Sequence, residues 1–305
     1  MLQFVVAGSL IVIYLLFSWF FLHRMTAPVA GPEGTPADFG LKSIPVEVTG
    51  DSRAAPTLQG WYLPVAQPLG ALVVAPLFGE TWATIQGESV VDLWRGLMER
   101  GLAVLILDYP GVGRSGGNHQ TIGGEWQVVA RGARWLSEQG FDWEQIAAAG
   151  FSIGTFAALY ASRSVPIAAV WADGAVDDLV RAFPREFPFA ARLLLPGVYV
   201  LGVATGRLRL AALHLLRYID AVPCRVQFVW GAEEPSHRQG LSRGLQAWST
   251  KCGSVPWIIP SARHCRGAAL LKDAYAERLA KFALAPTSST ARTGSTPAPS
   301  SRRMN

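Results

Sequence analysis

Gln145-Ile-Ala-Ala-Ala-Gly-Phe-Ser-Ile-Gly-Thr-Phe-Ala-Ala-Leu-Tyr-Ala-Ser-Arg-Ser164 is the stretch that decides the fold. Residues 146–149 are a short apolar run, and Gly150-Phe151-Ser152-Ile153-Gly154 follows as a turn. The alanine-rich segment after it sets Phe156, Leu159 and Tyr160 at helical spacing. That is strand, sharp turn and helix, with a serine at the apex. A turn so tight has no room for side chains beside the serine, and Gly150 and Gly154 leave that room. Ser152 projects from the turn, where the first amides of the helix offer N–H donors to a developing negative charge. A serine that merely caps the helix is the simpler reading of the same five residues. The rest of the chain has to decide.

Upstream, 71–75 and 102–107 are fully apolar runs, the signature of strands buried on both faces of a parallel sheet. Between them Val91, Leu93, Trp94, Leu97 and Met98 mark one face of a helix that Gly101 stops. A second helix is predicted over 126–139, and apolar runs recur at 167–171, 225–230 and 255–259. Earlier strands are predicted at 46–48 and 57–63, the latter ended by Pro64. From residue 71 onward strands alternate with helices. The expected class is therefore α/β: a doubly wound, mostly parallel central sheet with helices on both faces and its site at the C-terminal strand ends.

With 305 residues, 50% hydrophobic and 16% charged, the chain can bury one large core and still carry appendages. The net charge of +5 is scattered, with no aromatic-interleaved basic stripe. This argues against nucleic acid as a partner and leaves a membrane-proximal or simply soluble basic surface. Cys224, Cys252 and Cys265 show no Cys-x-x-Cys spacing, so neither a metal cluster nor a disulfide framework is expected. A single bridge, Cys252–Cys265 or Cys224–Cys252, stays open. No cofactor is called for.

Residues 4–22 carry no charge and are rich in Val, Ile, Leu, Phe and Trp. As a helix they span roughly 28 Å, close to the hydrocarbon thickness of a bilayer, and Trp19 suits the interface. A signal peptide is the competing reading, but Met1-Leu2-Gln3 lacks a basic residue. Met25-Thr26-Ala27 and Pro28-Val29-Ala30 are also poor cleavage sites. Residues 1–25 therefore read as an uncleaved single-pass membrane anchor, and Arg24 on its flank inclines the body toward the cytoplasm. Residues 26–43, with several Pro and Gly, read as a linker, and 44–283 as the α/β domain. The Thr/Ser/Pro/Ala-rich 284–305 read as a disordered tail.

Four motifs fall in one order along the domain. Asp108-Tyr-Pro-Gly-Val-Gly-Arg-Ser-Gly-Gly117 follows a strand, and Gly150-Phe-Ser-Ile-Gly154 makes the turn already described. Gly231-Ala-Glu-Glu234 follows the run at 225–230, and Ser261-Ala-Arg-His264 follows the last strand. With these, residues 44–283 resemble the α/β-hydrolase superfamily, in particular membrane-anchored lipase, esterase and acyl-thioesterase-like members. The resemblance implies the α/β-hydrolase fold with a helical cap insertion, here about 174–223. It also implies a serine hydrolase of ester or thioester bonds in a small-molecule or lipid acyl substrate. Ser152 would be the nucleophile, His264 the base and Glu234 the acid behind it.

Of the five histidines, only His264 follows a strand near the end of the domain. His23 sits at the membrane edge, His119 in a Gly/Asn loop, His214 in an apolar helical stretch and His237 just past the acid loop. The acid stays open, because glutamate stands where the family usually has aspartate. Glu233 is the register-slip alternative, and Asp173, just after the run ending at Trp171, is another. Ile153 and either Leu77 or Phe78 would supply the oxyanion N–H groups. The loop Pro76-Leu-Phe-Gly-Glu80 departs from the His-Gly-x of many members.

Between 174 and 223, Phe183, Phe187, Phe189, Val198, Tyr199 and Leu201 make the insertion apolar, and Pro184, Pro188 and Pro196 break it into short helices. Such a cap lines an acyl pocket or touches a bilayer, or else buries its apolar face on the core. A catalytically idle fold serving as a binding or scaffold module is a second reading of the whole chain. A peptidase-type serine hydrolase is a third. An intact serine and histidine favour an enzyme over the idle fold.

Overall fold

In a computed structural model that describes residues 1–50 and 55–286, the apolar runs pair into one eight-stranded sheet. Its strands are β1 (Ile44–Val48), β2 (Leu58–Leu63), β3 (Gly70–Ala75), β4 (Leu102–Leu107), β5 (Ile146–Phe151), β6 (Ala169–Asp173), β7 (Arg225–Gly231) and β8 (Trp257–Ile259). The spatial order is β1-β2-β4-β3-β5-β6-β7-β8. The β1–β2 and β2–β4 pairs are antiparallel, and every other pair is parallel. The order reverses between β3 and β5, where Ala75 pairs with Gly150. Sites in open α/β sheets form at the strand ends beside such a reversal.

The helices are α1 (Leu2–Met25), α2 (Val91–Glu99), α3 (Trp126–Glu138), α4 (Ile153–Ala161), α5 (Leu179–Ala182), α6 (Phe189–Arg192), α7 (Leu195–Ala204), α8 (Pro235–Arg238), α9 (Arg243–Lys251), α10 (Gly267–Leu271) and α11 (Asp273–Leu284). Along β4, Leu105 and Leu107 pack toward α3 and α4, while Leu102, Val104 and Ile106 pack toward α2 and α11. This period-two alternation is why the strand reads as continuously apolar: both of its faces are covered. Each such side chain contributes about 1.5–3 kcal/mol when fully buried. Strand β6 runs two residues past the predicted end at Trp171, so Asp173 lies within it. Helix α11 ends at Leu284, and most of the expected tail at 284–305 lies outside the described residues.

Helix α1 is joined to the body along one face. Tyr14, Ser18, Leu22 and Met25 recur at helical spacing, and Ser18 and Leu22 are fully buried. The Tyr14 hydroxyl donates to the Leu193 carbonyl (3.2 Å) and accepts from the Gly197 N–H (2.9 Å). Ser18 Oγ donates to the Leu194 carbonyl at 3.3 Å. A Cβ on Gly197 would come within 2.3 Å of Ser18 Oγ, so this glycine permits the close approach of α7 to α1. The following segment has little regular structure beyond a 3-10 turn at Pro36–Phe39, yet it docks on the glycine-rich loop after β4. Val29 donates to Gly111 and accepts from Gly113, each at 2.9 Å, and Gln120 Nε2 donates to the Ala27 carbonyl. Proline and glycine there prevent helix and strand, but they do not prevent packing.

Candidate active site

Strand β5 delivers Ser152 to the sheet's C-terminal edge at the topological reversal. Its backbone sits at φ 54°, ψ −115°, a strained conformation for a residue with a side chain. One hydrogen bond and two glycines shape the turn. The Ser152 N–H donates to the Asp173 carbonyl at 2.8 Å, and the glycines let the chain pass. A Cβ on Gly150 would lie 2.3 Å from the Gly154 carbonyl oxygen, and one on Gly154 would lie 2.0 Å from that of Ala75. No other residue type fits either place.

The loop after β8 carries His264 back over this edge. His264 Nε2 lies 2.8 Å from Ser152 Oγ, and its Nδ1 lies 2.6 Å from Glu234 Oε1. Glu234 stands just before α8, three residues after β7, and is fully buried, while the imidazole keeps partial exposure. Burial alone would lower the His264 pKa. The hydrogen bond and charge of Glu234, with Asp173 beyond, outweigh it and hold the imidazole above its ordinary value.

The two alternative acids lie elsewhere. Glu233 is exposed and pairs with Arg238 at 3.0 Å. Asp173 is buried, but its carboxylate accepts from the Tyr275 hydroxyl at 2.6 Å, and Trp171 Nε1 donates to that same hydroxyl. Burial raises the Asp173 pKa to about 7, against the lowering effect of the Tyr275 hydrogen bond. The remaining histidines have other neighbours. His119 meets Asn118, His214 meets Asp178 at 2.9 Å, His237 stacks on Trp230, and His23 approaches Arg207. All three cysteines are free, and the Cys265 thiol, buried beside His264 in sequence, reaches the Asp173 carbonyl at 3.4 Å. The sequence had left one bridge open; none forms.

Four supporting residues went unread in the sequence. Ser236 Oγ donates to Glu234 Oε1 at 2.6 Å, which fixes the carboxylate that faces His264. Gly174 (φ 77°) leaves the space for the imidazole, since a Cβ there would stand 2.6 Å from His264 Cε1. The Tyr109 hydroxyl donates to the Pro76 carbonyl at 3.0 Å and ties the loop after β3 to the glycine-rich loop. Tyr275 occupies the second carboxylate. Tyr109 and Ser236 stand in or beside quoted motifs, but a motif does not show what each one touches, because each works through a contact made only in the folded chain. The carboxylate of Glu80 accepts from the Gln86 and Gly87 N–H groups.

Leu77 and Phe78 follow β3 after Pro76, and Ile153 opens α4. Phe78 and Ile153 share a hydrophobic cluster with Leu22 of α1, Val198 of α7, Leu208 and Leu213. A small crevice beside it is lined by Met25, Ile122, Leu179, Val198, Leu208 and Leu213, and is apolar throughout. Among the described residues, no group of three His, Cys, Asp or Glu is placed to hold a metal ion.

No family model matches the chain, and no curated protein matches it in sequence. Solved structures do resemble it. An esterase from Pyrococcus furiosus aligns with a TM-score of 0.63 at 18% identity, over 86% of this chain and 100% of that one. An alpha/beta hydrolase from a Penicillium species aligns with a TM-score of 0.59 at 18% identity, over 80% and 98%. A dienelactone hydrolase from Anabaena variabilis gives a TM-score of 0.52 at 16% identity, over 81% and 99%. At such identities the likeness is one of fold.

Proposed function

We propose that this chain, which has the α/β-hydrolase fold, is a membrane-anchored serine hydrolase that cleaves ester or thioester bonds of acyl-bearing small molecules or lipids. The observation that carries the reading is the unbroken hydrogen-bonded run Glu234–His264–Ser152 at the strand ends. A serine hydroxyl is a weak nucleophile at neutral pH and needs a base within hydrogen-bond reach. As Ser152 Oγ attacks the acyl carbonyl, its proton passes to His264 Nε2. The alcohol or thiol then leaves with that proton. Water repeats the two steps on the acyl-enzyme and releases the acid. Glu234 holds the Nδ1–H tautomer and stabilises the imidazolium. The oxyanion takes N–H donors from Ile153 and from Leu77 or Phe78.

The aligned structures from Pyrococcus furiosus and Anabaena variabilis are an esterase and a dienelactone hydrolase. Residues 3–25 of α1 have a mean hydropathy of 2.4, long and apolar enough to cross a membrane. Removing them as a signal sequence would strip Leu22 from its place against the Ile153 cluster, which favours retention as an anchor. Arg24 inclines the body to the cytoplasmic side. A fluorophosphonate probe on the detergent-solubilised full chain tests the chemistry. Ser152 should label, and Ser152→Ala should abolish labelling while the fold stays intact. Labelling that persists in the alanine variant defeats the assignment.

A further inference from the structure

Residues 3–13 of α1 are exposed, and only from Tyr14 onward does the helix meet the body. Those eleven residues rise about 17 Å, roughly half of a hydrocarbon core about 30 Å thick. A bilayer crossed by α1 must therefore also enclose the stretch from Tyr14 toward Leu22. That stretch is covered by the cap: α7 and the residues just before it lie against Tyr14, Ser18 and Leu22. The cap would go into the leaflet with it.

The cap surface there fits lipid. Phe189, Leu193, Val200 and Val203 are exposed, Phe189 to 74% and Val200 to 66% of their full areas. The polar groups of α1 at this level already have partners. Tyr14 and Ser18 bond to the Leu193 and Leu194 carbonyls, as hydrocarbon requires of buried polar groups. Trp19 carries the Arg207 guanidinium 5.0 Å from its ring centroid and marks the headgroup level. Tyr14 lies five residues deeper, about 7.5 Å by helical rise. That is the depth at which interfacial elements rest, about 5–10 Å. Arg181 and Arg185 precede α6 and Arg192 ends it, a basic rim whose long stems are of the kind that snorkel to headgroups.

We propose that α6 and α7 are embedded in the same leaflet as α1, with Phe189, Leu193, Val200 and Val203 in contact with lipid acyl chains. The inference rests on reading α1 as a membrane anchor and deepens it. Lipid is the occupant that the continuity with α1 and the basic rim select.

The test uses the full chain in nanodiscs that hold one copy each and contain a fraction of anionic lipid. Spin labels are attached to Val12→Cys, Leu193→Cys and Val200→Cys in a Cys252→Ser background, with native Cys252, which is exposed, as the aqueous reference. Collision rates with oxygen, which concentrates in lipid, are compared with those of a water-soluble nickel chelate. Oxygen should dominate at all three positions, with position 193 deeper than 200. Nickel dominating at 193 and 200 while oxygen dominates at 12 overturns the embedded cap and leaves the anchor standing. Nickel dominating everywhere overturns the anchor itself. A label at 193 or 200 reached by neither reagent means that protein covers the face, which also overturns the proposal. Val203→Cys replaces any cap variant that fails to fold.

Discussion

His264 Nε2 stands 2.8 Å from Ser152 Oγ across 112 residues of chain, and Gly174 at the end of β6 makes that approach possible. The same imidazole is held from behind by the buried Glu234, itself fixed by Ser236. Imidazole, serine and carboxylate thus come from three different strand ends, and each can be perturbed separately.

Removing the charge behind the imidazole should slow turnover without emptying the site. Glu234→Gln keeps size and packing, and kcat on a short-chain p-nitrophenyl ester should fall by about 10²–10⁴-fold, as when a triad acid loses its charge. Glu233→Gln should cost little, because Glu233 pairs with exposed Arg238. Asp173→Asn should cost kcat far less than Glu234→Gln. A large loss in Asp173→Asn with none in Glu234→Gln would move the acid to the end of β6.

The raised pKa of His264 sets the acid limb of the rate profile. The base works only when neutral, so kcat/KM should be low in acid and rise with pH through a value above the ordinary imidazole pKa of about 6.5. Glu234 raises that value, so Glu234→Gln should move the limb toward lower pH. A limb that stays put in Glu234→Gln would show that Glu234 does not act on this imidazole.

Stability should decline from mildly acid to mildly alkaline pH. Burial raises Asp108 to about 6, Asp173 to about 7 and Glu125 to about 8, from unfolded values near 4. Between about pH 4 and 8 the folded chain therefore binds more protons than the unfolded one, so its stability falls as pH rises. The raised His264 acts in the same direction. Thermal unfolding in one detergent should give a higher Tm at pH 5 than at pH 8, and Glu125→Gln should flatten the alkaline part of the decline. A Tm that climbs across this window would contradict the assignment.

Leu22 should behave as a core residue despite its place in the N-terminal helix. It is fully buried against Ile153, Val198 and Leu208, so Leu22→Ala should destabilise by about 2–5 kcal/mol and lower Tm by several degrees. Leu10→Ala, on the exposed part of α1, should leave Tm unchanged. Equal Tm values for the two variants would make α1 a tether only.

Much of the fold was legible because its causes are local. Runs such as 71–75 and 102–107 must be apolar on both faces to lie inside a covered sheet, and Gly101 and Pro64 end elements by backbone chemistry. The turn at Gly150–Gly154 was legible for the same reason, since both glycines answer steric demands within a few residues of the serine. Asp173 was less so: a strand's end depends on its neighbours' pairing, and β7 extends β6 two residues beyond Trp171.

What the sequence determined by itself was the α/β class, the strand–turn–helix at Ser152 and the apolar stretch of α1, because periodicity and turn sterics are written in neighbouring residues. Which carboxylate faces His264 was decided only in three dimensions. Glu233 and Glu234 differ by one position in a loop, and Glu234 alone turns inward, where Ser236 and His264 meet it. The seat of α1 was decided there too. An apolar helix has the same composition whether lipid or protein covers it, and contacts such as the approach of Gly197 to Ser18 and the Tyr14 hydrogen bonds show that the cap takes one face.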